Sequence, residues 1–433
     1  MIEGGEAVGE VLPAGAGLGR GVAPRLEPSH GLGGDQGPDM HLKGVTRRGS
    51  MALVGAVLGT RGGSAVAQPR RSHDWSSVEA IVTKAVAERI TPGLQLCVWR
   101  GGRPIYSRAL GSANLEVAAP LTPASVMRIG SITKQFTAAA VLLLQEDGRL
   151  SVDDPLSRFV PEIEAGKQVS LRQMLTHVSG LAISPSDGPA ARRGLEIIEH
   201  DTASMVAAIQ SLKPELRTPP GAQWVYNNLA YRLLGVVAER ASGMRLRALF
   251  KARLFDPARL ERTAVEDMGE VLPGRAAGYT PAPGEGQRFR NAPPNSLSWS
   301  GGAGNMRSTT EDLCRWHDVL LGGRLLRPES LKAMLTPVRL SDGSLPPARA
   351  ELAGSEPLRY GFGVELRTEG GRFAVTHTGG NDGFVSQLTS YPESRVSVAG
   401  IINSHRAGKP QNASPNEQVL RAAVTEAARI ALA

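Results

Sequence analysis

Gly130-Ser131-Ile132-Thr133-Lys134-Gln135-Phe136-Thr137-Ala138-Ala139-Ala140-Val141-Leu142-Leu143-Leu144 is the stretch on which the fold of this chain turns. Alanine and leucine fill it and Asp147-Gly148 stops it, so it predicts a helix over residues 130–146. Apolar residues lie on every side of that helix, which places it at the centre of a domain. Ser131 and Lys134 stand at its start, and helix positions i and i+3 share one face about 5–6 Å apart. A serine hydroxyl is a poor nucleophile until a base takes its proton, and a lysine desolvated by an Ala/Leu-rich helix gives up its own proton more readily. The same helix N-terminus turns unsatisfied N–H groups and the positive end of its dipole toward charge developing on a substrate. This is the only S-x-x-K among the eight lysines of the chain. Taken alone, such a serine is more often a helix cap than a nucleophile.

Working outward, residues 74–89 carry Val78, Ile81, Val82, Ala85 and Val86 at helical spacing and end at Pro92-Gly93. Residues 94–99 and 104–109, divided by Gly101-Gly102, predict a β-hairpin. Between 150 and 300 short helical stretches alternate with loops rich in Pro, Gly and Ser, and residues 224–240 predict a second long helix. Strands are expected at 373–377, 384–391 and 396–402, and a closing helix near 416–432. Two strands early and three late imply an α/β (α+β) fold: one antiparallel sheet with the N- and C-terminal helices on it, and a mostly helical domain inserted. The sheet domain would take 74–150 and 300–433, the helical insert 151–299.

With 433 residues, 45.7 kDa and 41% hydrophobic residues, the chain is long enough for a sizeable core. A net charge of +8 is spread along the sequence with no basic stripe, which argues against a nucleic-acid groove. No H-E-x-x-H and no His pair at i, i+4 appears, so no metal and no other cofactor is expected. Cys97 and Cys314, far apart in apolar surroundings, read as buried free thiols rather than a disulfide.

Residues 1–39, rich in Gly, Pro and Ala without period, read as disordered or as a mis-assigned upstream start. Residues 40–67 read as an export signal: Lys43, Arg47 and Arg48, then the apolar Met51 to Leu58, then Ala65-Val66-Ala67 in the small-x-small form of a cleavage site. The paired arginines allow a twin-arginine route. The mature chain would begin near Gln68, periplasmic or secreted. No later stretch reaches the roughly 18 apolar residues of a membrane span.

Arg128-Ile129-Gly130-Ser131-Ile132-Thr133-Lys134-Gln135-Phe136-Thr137 resembles the active-site segment of the serine β-lactamase-related superfamily, which includes class C β-lactamases, D-alanyl-D-alanine carboxypeptidases and family VIII-like esterases. Leu175-Thr176-His177-Val178-Ser179-Gly180-Leu181 resembles a structural turn of that family, Tyr226-Asn227-Asn228 its Y-x-N motif, and His377-Thr378-Gly379 its third, K-T-G-like box. The resemblance covers roughly 75–405 and implies a β-lactamase/transpeptidase-like fold. It implies Ser131 as acylated nucleophile, Lys134 as base, Tyr226 as a phenol in proton transfer, and Asn228 as a donor or acceptor to the substrate's acyl-side amide. It further implies that residues 377–380 form a strand along the cleft, with the Gly380 N–H completing an oxyanion hole begun by Ser131. His177 reads as a structural hydrogen-bonder and stays outside the site.

His377 stands where the family's β-lactamases usually carry lysine, which weakens the case for holding a β-lactam carboxylate and suits peptidases and esterases with the H-x-G form. The leading expectation is acyl transfer on a D-Ala-D-Ala-type peptide or a carboxylic ester, its substrate a small molecule or a peptidoglycan peptide. A true β-lactamase and a catalytically silent binder of cell-wall peptide are the alternatives. No residue is assigned to activate the deacylating water.

Overall fold

The computed structural model describes residues 73–183, 194–282, 289–347, 358–405 and 414–433. The expected upstream segment and export signal lie outside the described residues. Helix α1 (Ser76–Ala87) opens the described chain and is followed by β1 (Gly93–Arg100) and β2 (Arg103–Asn114). Gly101 and Gly102 join the two strands at φ of +59° and +88°, the backbone that a tight two-residue hairpin requires. A short β3 (Ala119–Pro120) follows, then the central helix α2 (Thr133–Glu146), in which every residue from Thr133 to Leu144 is buried.

The second long helix, α3, runs Asn228–Ser242 and not from Trp224. Asn227 is extended at φ −136° and its side chain accepts the Ala230 N–H at 3.0 Å, so it caps the helix and leaves Tyr226 outside it. Helix α4 (Thr310–Leu321), capped by Thr309, was not expected from the sequence.

Late in the chain come β4 (Arg359–Tyr360), β5 (Glu365–Glu369), β6 (Arg372–Asn381), β7 (Phe384–Tyr391), β8 (Val396–Ile402) and helix α5 (Pro415–Leu432). The sheet order is β4-β5-β6-β7-β8-β1-β2-β3, antiparallel throughout. Pairing of β1 with β8, from Leu94 opposite Ile402 to Arg100 opposite Val396, joins the two ends of the chain. Among the described residues the sheet therefore has eight strands where five were expected, and β6 continues to Asn381, past the expected end at His377.

Strand alternation sorts the core into two layers. Leu94, Leu96 and Val98 face α1 and α5, meeting Val78, Leu420, Val424 and Ala427. Cys97 and Trp99 point the other way, into the larger cluster that includes α2, α3 and α4. Cys97 and Cys314 are both buried and unbridged, as expected, with the Cys314 thiol 3.6 Å from the Cys97 carbonyl. Among the described residues no helix is long and apolar enough to cross a membrane.

Candidate active site

Ser131 sits in a 3₁₀ turn (Gly130–Ile132) that feeds into α2, tightened by the Thr133 hydroxyl donating to the Gly130 carbonyl at 2.7 Å. Lys134, one turn on, is fully buried. Its Nζ has three partners: Ser131 Oγ at 3.0 Å, Asn228 Oδ1 at 2.8 Å and the Ala303 carbonyl at 2.8 Å. The rings of Tyr226 and Tyr231 lie 4.8 and 5.5 Å from it. Burial pushes the Lys134 amine well below its ordinary value, Arg232 adds to the effect and Glu365 opposes it.

Asn228 Oδ1 and the Ala303 carbonyl can only accept, so Lys134 donates to both, whereas the Ser131 hydroxyl can accept or donate. An ammonium donates to all three; the neutral amine that burial favours keeps two of these bonds and has a lone pair left for Ser131.

Tyr226 and Asn228 reach the site because Asn227 between them is pinned three ways. Its side chain caps α3, its Nδ2 donates to the Leu181 carbonyl, and its N–H donates to His177 Nδ1 at 3.1 Å. His177, at φ +63° and 1% exposed, packs against the rings of Tyr226 and Tyr360 with centroids 4.5 and 4.6 Å away. It shapes the Y-x-N segment from behind. Asn228 Oδ1 is engaged by Lys134.

The third box lies on β6. Pairing with β5 ends at Thr376 opposite Glu365, so from His377 onward that edge has no strand neighbour among the described residues. Gly130, at φ +51°, approaches so closely that a Cβ there would lie 2.6 Å from Gly380 N, and a methyl on Gly379 would collide with the Ile129 carbonyl. Only glycine permits this contact, which sets the Gly130–Ser131 backbone against the Gly379–Gly380 backbone. Thr378 and Gly380 are exposed along this edge.

His377 is 1% exposed and sits behind the edge. Its Nδ1 is 2.6 Å from the Thr378 carbonyl and its Nε2 is 3.0 Å from the Tyr360 hydroxyl. A carbonyl only accepts, so Nδ1 carries the hydrogen, and Nε2 pairs with the Tyr360 hydroxyl. Both ring nitrogens are thus engaged by the protein.

Sequence reasoning missed the Ala303 carbonyl, Arg232 and Tyr360. A backbone acceptor leaves no residue-type signal, and only the glycines flanking Ala303 hint at a close approach. Gly302 is in contact with α3, where a Cβ would come 2.6 Å from the Tyr231 carbonyl.

The Beta-lactamase family profile matches residues 78–423. The chain belongs to the beta-lactamase family. It is 28% identical over 338 residues to penicillin-binding protein 4* of Bacillus subtilis (strain 168), covering 75% of this chain and 69% of that protein. It is 30% identical over 328 residues to the esterase EstB of Burkholderia gladioli, covering 68% of this chain and 77% of that one. Among solved structures, the D-stereospecific amidohydrolase from a Streptomyces species superposes at a TM-score of 0.65 with 26% identity, covering 81% of this chain and 98% of that one. The family resemblance carried by the four motifs and the mixed helix and antiparallel-sheet fold are both confirmed. The beta-lactamase family thus brings together, around one catalytic fold, relatives named for penicillin binding, ester hydrolysis and D-stereospecific amide hydrolysis.

Proposed function

We propose that this beta-lactamase-family chain is a serine hydrolase that works through an acyl-enzyme on Ser131, with carboxylic esters or D-Ala-D-Ala-type amides as substrates. The observation that carries the reading is the contact of the fully buried Lys134 amine with Ser131 Oγ at 3.0 Å, where burial favours the neutral amine. Lys134 takes the Ser131 proton as Oγ bonds to the substrate carbonyl carbon, and the oxyanion is met by the N–H groups of Ser131 and Gly380. Collapse breaks the bond to the alcohol or amine, which leaves with the proton returned from Lys134 by way of the Tyr226 phenol. Water then attacks the ester, its proton passing to the regenerated Lys134 amine, and Ser131 recovers its own on release of the acid.

His377 separates ester and peptide hydrolysis from β-lactamase action. Buried, with both ring nitrogens hydrogen-bonded to the protein, it presents neither nitrogen to a β-lactam carboxylate. The test is product release from a p-nitrophenyl ester, a D-Ala-D-Ala peptide and benzylpenicillin by the wild type and Ser131→Ala. Turnover of ester or peptide that disappears in Ser131→Ala supports the reading; no product and no Ser131 adduct with any substrate favours the silent binding protein. Export through residues 40–67 is part of the same proposal, and an N-terminus of the mature protein away from Gln68 speaks against it.

A further inference from the structure

Ser386 is fully buried on β7, where it stands opposite Gly379 of β6 on one side and Ile401 of β8 on the other. A hydroxyl in such a place has to find its partners inside the protein. Its Oγ donates to the Ile129 carbonyl at 2.9 Å and lies 3.4 Å from the Gly379 carbonyl. Ile129 is the residue before the Gly130–Ile132 turn that carries Ser131, so one hydroxyl touches both the turn of the nucleophile and the strand that holds Gly380.

The notch that receives this hydroxyl is made by a missing side chain. A Cβ on Gly379 would lie 2.6 Å from Ser386 Oγ and would overlap the Ile129 carbonyl, so glycine at 379 leaves the space in which the two meet. The Ile129 carbonyl also accepts the Ile132 N–H at 3.3 Å, which engages its second lone pair. Successive residues of a strand face opposite ways, and on the other face of β6 a Cβ on Gly380 would lie 3.0 Å from His405 Nε2. This part of β6 is thus held between Ser386 and the Ile129 carbonyl on one face and His405 on the other.

Among the described residues no backbone hydrogen bond joins residues 129–132 to residues 377–381. The Gly130 backbone meets Gly380 by close approach alone. Such contacts are weak and non-directional, whereas a hydrogen bond fixes both distance and direction. The bond from Ser386 to Ile129 supplies that directional link, and it is anchored on β7, a strand paired on both sides. Two N–H donors hold an oxyanion well only when both lie about 2.7–3.1 Å from it, so the spacing of the Ser131 and Gly380 segments matters to a few tenths of an ångström.

Resting on the proposed Ser131 acyl-enzyme, we infer that Ser386 is a positioning residue whose hydroxyl fixes the Ser131 turn against β6 and so sets the spacing of the two oxyanion donors. Being fully buried, it touches no substrate. Its loss therefore acts on the transition state, where the oxyanion exists, and leaves ground-state binding alone.

The experiment measures kcat and KM for p-nitrophenyl acetate, and Ki for benzeneboronic acid, in the wild type, Ser386→Ala and Thr389→Val. Boron accepts Ser131 Oγ as the serine proton passes to Lys134, and the tetrahedral adduct places an oxygen where the oxyanion forms, so Ki reads the donors directly. Thr389, also on β7 and 1% exposed, pairs its hydroxyl with that of Thr376 at 2.8 Å, so its variant removes a buried hydroxyl of the same strand away from the Ser131 turn. Ser386→Ala should lower kcat at least tenfold and raise Ki by a similar factor with KM within threefold, whereas Thr389→Val should keep kcat and Ki within twofold of wild type. Ser386→Cys, which fills the space with a weak donor, gives the same reading if the alanine variant fails to melt cooperatively. Wild-type kcat and Ki in the folded Ser386 variant, or an equal loss in Thr389→Val, overturns the positioning role. Absence of a Ser131 adduct with the ester in the wild type instead overturns the hydrolase reading on which that role rests.

Discussion

Lys134 Nζ lies 3.0 Å from Ser131 Oγ, and its other two partners, Asn228 Oδ1 and the Ala303 carbonyl, have no proton to give. A group in that setting acts as a base only when it is neutral. Lys134→Arg keeps a cation of similar reach, but guanidinium stays protonated in proteins. It should lose at least a hundredfold in kcat for ester hydrolysis, in line with removal of a general base. Steady-state kinetics on the folded variant checks this, and a loss of less than threefold would refute Lys134 as base.

The same burial sets a pH dependence. Lys134 is lowered well below its ordinary value, first by desolvation and then by Arg232. Activity should therefore fall on the acid side as pH drops through the depressed value, far below the ordinary lysine range of about 10.4. Stability follows the same sign: the unfolded chain binds a proton that the folded chain has released. The stability linked to this group is fully present above about pH 10.4 and is lost as pH falls toward the folded value. Lys134→Met should accordingly gain stability relative to wild type as pH is lowered from 10.5 to 7. Urea unfolding at the two values tests the sign, and a difference between the proteins that stays constant would contradict it.

Gly130 carries both a left-handed φ of +51° and a close approach to Gly380 N. Gly130→Ala should strain the backbone by about 1–3 kcal/mol and push the Ser131 turn away from β6. A drop in kcat of tenfold or more with little change in KM is expected, since the oxyanion forms only in the transition state. A variant with wild-type kcat would remove the contact from the mechanism.

Tyr360→Phe deletes the hydroxyl partner of the Nε2 atom of His377, a residue 1% exposed. Leaving a buried ring nitrogen unpaired costs about 1–3 kcal/mol. Denaturant titration should show that loss, and unchanged stability would mean that the Tyr360 hydroxyl is not His377's partner.

Much of this was legible in the sequence, for reasons that particular residues make plain. The buried helix announced itself through Ala138 to Leu144, and Ser131 with Lys134 through spacing on one turn. Gly101-Gly102 gave the first hairpin. The same signal at Gly370-Gly371, with φ of +55° and +75°, joins β5 to β6 and was overlooked because the strand before it spans only Glu365–Glu369. The start of α3 was misplaced by four residues because Trp224, Val225 and Tyr226 continue the apolar pattern while Asn227 caps the helix. His377 was expected along the substrate edge, but its orientation depends on Tyr360, a tertiary partner 17 residues away that no local pattern reveals. The role of Ala303 is carried by its carbonyl, which every residue possesses.

The most direct single measurement is peptide-mapped mass spectrometry of the wild type and Lys134→Arg after brief exposure to p-nitrophenyl phenylacetate at neutral pH. An acyl adduct on the peptide containing Ser131 in the wild type, and none in the folded Lys134→Arg variant, is the expected result. An adduct on any other residue, or equal labelling of Ser131 in both proteins, would contradict a Ser131 nucleophile activated by neutral Lys134.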